Sequence, residues 1–173
     1  MKLFAVLVAS LAILVANAQM MGGKPPKELA KVNFMLGTWK GSETMGGMGG
    51  PPSTSRSTVT TVKKLNGRYY SGTHIMKTKE GTMEGMHMLT YDPAKKAYVA
   101  YWFDSEAAGA MEMTGNFVGK SLVMVSKPMD MPGMGQQTFR ATWTPNGARG
   151  LSFKLEGKAG DKWATYITGT YKR

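Results

Sequence analysis

The sequence predicts an all-β protein: an antiparallel up-and-down barrel of about ten strands, preceded by a short N-terminal capping helix. Three observations carry this. From Thr38 onward, apolar and polar residues alternate with a period of two in short segments that continue almost to the C-terminus. Turn-forming clusters punctuate those segments at near-regular spacing, among them Asn66-Gly67, Glu80-Gly81, Asp92-Pro93, Gly119-Lys120 and Pro145-Asn146-Gly147. No strand-helix-strand unit occurs, which excludes a parallel sheet.

Taken in order, the chain opens with the pattern of a signal peptide. Lys2 supplies the positive n-region, Leu3 to Val15 the apolar stretch, and Ala16-Asn17-Ala18 a small-x-small cleavage site. Residues 1–18 are thus expected to be removed after Ala18, which predicts an exported, periplasmic or extracellular protein. Residues 19–26 form a Gly/Pro-rich flexible leader, and 27–173 a single domain. Leu29, Val32 and Met35 share one face of a helix of two turns at most, ended by Gly37.

Strands are expected at 38–45, 53–64, 68–77, 82–91, 97–104, 110–118, 121–126, 136–144, 151–158 and 163–172. Lys127 to Gly135 reads as a Met/Gly/Pro loop, and 46–52 as another. The last strand ends close to the C-terminus, as expected if it pairs with the first and leaves no free edge.

Composition narrows the function classes. The chain has no cysteine, so disulfides, thiolate metal sites and a cysteine nucleophile are excluded. Its 22 basic against 11 acidic residues give a net charge of +11, which favours anionic envelope surfaces as partners. The basic residues are scattered rather than gathered into an arm, so nucleic acid is not expected. No later apolar stretch is long enough for a membrane-spanning helix, and a monomer is expected.

Gly37-Thr38-Trp39-Lys40-Gly41 carries a Gly-x-Trp-x-Gly signature at the start of the first strand. That signature recurs among calycins: lipocalins, fatty-acid-binding proteins and the haem-binding nitrobindins. The successive stretches GTWKG, LNGRYY, LTYDPAKKAYVAYWFDS and MEMTGNF together resemble domain-of-unknown-function family 1579, an uncharacterised lipocalin-like bacterial family. The matching positions are Gly37, Trp39, Gly41, Gly67, Arg68, Tyr91, Asp92, Tyr98, Trp102, Asp104 and Gly115. The resemblance implies the barrel, with Gly37, Trp39 and Gly41 as the signature that closes it, and no particular chemistry. Nitrobindins hold haem through a histidine near the C-terminal end. The only histidines here are His74 and His87, and Glu43 replaces the third glycine of their signature, so haem does not carry over.

No nucleophile elbow, zinc-protease motif or phosphate loop is present. An enzyme would have to assemble its groups inside the barrel from distant strands. A barrel of this size either encloses a cavity for a small hydrophobic molecule or is filled by its own side chains. Tyr70, His74, Met76, Met111, Met113, Phe117, Phe139, Arg140 and Trp143 are the candidate lining residues, with His74 or Arg140 orienting a polar head. Methionine supplies the alternative. There are 16 in the chain, ten of them in groups at 20–21, 45–48, 83–88 and 129–134. Thioether and imidazole are soft ligands suited to copper(I), which makes Met45, Met48, His74, Met83 and His87 the candidate metal ligands. A turn near Glu80-Gly81 would set His74 opposite about position 87.

Overall fold

The computed structural model describes residues 23–46, 51–131 and 135–173. The expected signal peptide and residues 19–22 of the leader lie outside them, as does Met48.

Ten strands close into an antiparallel barrel in the order β1-β12-β11-β10-β7-β6-β5-β4-β3-β2, with β2 returning to β1. The barrel strands are β1 (Gly37–Met45), β2 (Ser53–Lys64), β3 (Tyr69–Lys77), β4 (Thr82–Asp92), β5 (Ala97–Asp104), β6 (Met111–Val118), β7 (Ser121–Ser126), β10 (Phe139–Pro145), β11 (Gly150–Ala159) and β12 (Lys162–Lys172). Closure is by β1 against β12, with Gly41 opposite Tyr171 and Glu43 opposite Gly169. First and last strands therefore satisfy each other's backbone groups, and the barrel has no edge.

Two elements differ from the sequence expectation. The stretch read as a loop holds a hairpin, β8 (Met129–Met131) with β9 (Gly135–Gln137), outside the barrel ladder. The strand expected at 136–144 is accordingly split, and its barrel portion starts at Phe139. Strands of three residues are too short to show a period, and Gly and Pro mask them further. The second difference is the helix: Lys27–Met35 is a 3-10 helix. Its three residues per turn stack positions i, i+3 and i+6, so Leu29, Val32 and Met35 fall on one buried line.

That helix closes one end of the barrel. Three side chains from the barrel bond to it: Tyr70 Oη donates to Asn33 Oδ1 (2.5 Å), Tyr98 Oη to the Glu28 carbonyl (2.6 Å) and Trp39 Nε1 to the Met35 carbonyl (3.2 Å). Removal from water raises Tyr98 to about 12, so its hydroxyl stays a donor. Beneath the helix lies an apolar core containing Tyr70, Leu89, Tyr98, Met113, Leu122, Met124 and Phe139. Met129 and Met131 of the outer hairpin pack on the same core from the opposite end.

The signature at the start of β1 is architectural. Trp39 is buried, and the Arg173 guanidinium lies over its ring at 4.1 Å while also donating to the Leu36 carbonyl. Gly37 takes a left-handed φ of +91° between helix and strand. Gly41 serves β12 rather than the helix-to-strand turn: a Cβ there would overlap the Thr170 carbonyl.

Candidate functional site

Strand alternation decides which side chains enter the barrel. Along β1 the inward positions are Trp39, Gly41 and Glu43, and along β2 their partners Val59, Ser57 and Ser55. Along β3 and β4 the inward pairs are Tyr70 with Leu89, Gly72 with His87, His74 with Gly85, and Met76 with Met83. One wall of an otherwise apolar interior thus carries two histidines, a glutamate and several hydroxyls.

Glu43, Ser57, His74 and Tyr171 form a buried network. His74 Nε2 lies 3.1 Å from Glu43 Oε1 and 2.6 Å from Ser57 Oγ, and the Tyr171 hydroxyl donates to Glu43 Oε1. Burial, the adjacent Glu43 and the hydrogen bond to it push the Tyr171 phenol well above its usual range, so it remains a donor. Close packing holds the network in place. A Cβ at Gly169 would stand 2.9 Å from the Tyr171 ring and 3.1 Å from Glu43 Cγ. One imidazole nitrogen meets both Ser57 and Glu43. A Ser-His-acid triad needs the two ring nitrogens to serve different partners, so this arrangement is not one.

His87 stands beside this network. Its ring lies over Gly72, where a Cβ would occupy the same space, and Gly72 faces Thr61 on β2. Burial, with a smaller contribution from His74, lowers His87 from 6.5 to about 4, so it is neutral at physiological pH. Among the described residues, His87 Nε2, Glu43 Oε2 and Thr61 Oγ1 are buried polar atoms with no hydrogen-bond partner. Each such group costs about 1–3 kcal/mol unless something bonds to it. Trp102 flanks the same wall, 5.7 Å from the His74 ring, with its indole N–H on Asp104 Oδ2 (2.8 Å).

The residues singled out from sequence are distributed as follows. Tyr70, His74, Met76, Met113 and Phe139 are buried inside, while Met111, Phe117 and Trp143 are partly buried against the core. Arg140 lies on the outer face between inward Phe139 and Ala141. There it bonds Glu156 (2.8 Å) and stacks on Trp163 (4.4 Å), so it cannot orient a head group inside. His74 and His87 both point inward but are offset by two residues, 74 facing 85 and 72 facing 87. The turn spans Thr78 to Gly81, with Thr78 N–H on the Gly81 carbonyl, which centres the hairpin one residue earlier than expected.

Of the metal candidates, Met83, His74 and His87 share the inward face, but His87 and Met83 are four residues apart on one strand, roughly 13 Å. His74 Nε2 is already engaged. No group of three His, Asp or Glu residues able to hold a metal occurs among the described residues. Glu43, Ser57, Thr61 and Tyr171 were missed. Glu43 and Tyr171 had one visible signal: each sits in phase with inward residues of its own strand.

A closed ten-stranded antiparallel barrel capped by a short helix is a lipocalin-like architecture. The model of the family described as "Protein of unknown function (DUF1579)" matches residues 24–173, and the chain belongs to that family. The crystal structure of Rv2717c from M. tuberculosis is similar, with a TM-score of 0.61 at 11% identity, covering 87% of this chain and 99% of that chain. At that identity the likeness is one of fold. No curated protein matches the sequence.

Proposed function

We propose that the barrel binds a small hydrophobic molecule with a neutral hydroxyl head, and carries it in the cell envelope after export. The observation that carries this reading is the pair of unpartnered atoms, His87 Nε2 and Glu43 Oε2, buried in an otherwise apolar interior. A hydroxyl can donate to a free carboxylate oxygen or pair with a neutral imidazole, so such a head group answers either unmet hydrogen-bond demand. A carboxylate head would instead meet Glu43. The helix seals its own end, so entry is from the other, beside Met129 and Met131. Inward Met76, Met111, Met113 and Met124 give that interior an adaptable wall, since thioether side chains repack at low cost. Copper(I) has weaker support, because the inward imidazoles and thioethers do not converge.

Retinol, a fluorescent apolar alcohol, tests the reading. It should quench interior tryptophan fluorescence saturably, and retinoic acid should bind more weakly. His87→Leu should weaken retinol by about tenfold, the worth of one buried hydrogen bond. Equal affinity in wild type and His87→Leu, or tighter binding of the acid, would count against it.

A further inference from the structure

A second site lies on the outer wall, where β11, β12 and β1 meet the Pro145–Gly150 turn. At one level of the sheet the outward positions run Thr58, Lys40, Lys172 and Gly150, each directly opposite the next. Gly150 contributes no side chain, and the turn folds tightly over it, with Asn146 N–H on its carbonyl at 2.8 Å. The result is a groove of about 630 Å³ between the turn and the strands. Lys40, Lys172 and Arg149 line it with Ser42, Thr170 and Asn146, and no acidic residue does.

Unpaired cations and like-charged cross-strand neighbours also occur elsewhere, as at Arg56 opposite Lys77, but here they coincide with a groove that no carboxylate lines. Among the described residues four cations are ion-paired, Lys95 and Lys127 with Glu112, and Arg140 and Lys154 with Glu156. Lys40, Lys172 and Arg149 have no ion-pair partner among the described residues. Moreover, Lys40 and Lys172 are direct cross-strand neighbours, an arrangement of like charges that destabilises a sheet. An anion seated between them removes that repulsion. Lysine supplies compact charge and arginine a bidentate fork, a combination that suits phosphate. The groove is much larger than a phosphate, and the hydroxyls and amide beside the cations match a polyol.

We infer that this groove binds a phosphorylated sugar or polyol, free or as a lipid headgroup. It does not depend on the interior ligand. In the test, glycerol 1-phosphate is titrated into the full mature chain and backbone amide shifts are followed by NMR. Saturable shifts should be confined to 40–42, 146–151 and 170–172. Arg149→Ala with Lys172→Ala should weaken binding about tenfold or more, whereas Lys79→Ala on the opposite end should not. Phosphatidylglycerol vesicles form the second arm: capture lost in the same double variant assigns the headgroup, and binding of glycerol 1-phosphate alone assigns a free metabolite. Equal weakening by Lys79→Ala, shifts spread over the whole surface, or no saturable binding in either arm overturns the proposal.

Discussion

His87 is buried and neutral, held against the Gly72 backbone where no side chain intervenes. Its lowered value makes stability depend on pH with a definite sign. Below 6.5 the unfolded chain takes up a proton that the folded chain refuses until about 4. Stability from this group is therefore complete above pH 6.5, falls as pH drops towards 4, and does not fall further below that. The loss is about 3 kcal/mol. Urea unfolding at pH 7.5, 6 and 5 should show this decline, and His87→Leu should flatten it. Gly72→Ala should cost about 1–3 kcal/mol through overpacking. His87→Ala in the same chain should recover most of that loss, because the clash is between those two residues. Additive losses would mean the Gly72 constraint lies elsewhere. At this scale the sequence was partly legible. His87 and Met83, both singled out from sequence, share the inward face of β4. The network around Glu43 was not legible, since it joins β1, β2, β3 and β12, and only closure of the barrel brings them together.

At the scale of elements, the join between helix and β1 organises the closed end. Trp39 touches the helix carbonyl, the core cluster of Leu151 and Tyr171, and the Arg173 guanidinium. Trp39→Ala should cost about 3–5 kcal/mol, read as a lower urea midpoint with unchanged slope. Gly41→Ala should be worse, because its methyl would meet the Thr170 carbonyl and part β1 from β12. Loss of the cooperative transition is expected there. If Gly41→Ala unfolds like wild type, closure does not depend on that close approach. Strand positions were readable from period-two patterning and turn chemistry to within a residue or so, since both are local signals. The outer hairpin was not, being too short for any period. The register of β3 against β4 was displaced by two residues, because a four-residue turn cannot be told from its neighbour by composition.

Across the whole molecule the polar and charged groups are divided between inside and outside with little mixing. The interior is apolar at the helix end and carries its histidines, glutamate and hydroxyls on the β1–β4 wall, with Tyr171 adding from β12. On the outer face, the groove where β11, β12 and β1 meet the Pro145–Gly150 turn carries Lys40, Lys172 and Arg149 and no acidic residue. Ten strands and their up-and-down order were legible, because hairpin connections leave few alternatives. Whether the interior holds a ligand rests on atoms that only the folded chain brings together, above all His87 Nε2 and Glu43 Oε2. The most direct measurement is native mass spectrometry of the protein purified from its own host under non-denaturing conditions. The account predicts a mass exceeding that of the chain by one small molecule, released by organic solvent and present at lower occupancy in His87→Leu prepared in the same way. Recovery of the bare chain mass from the wild type would contradict it.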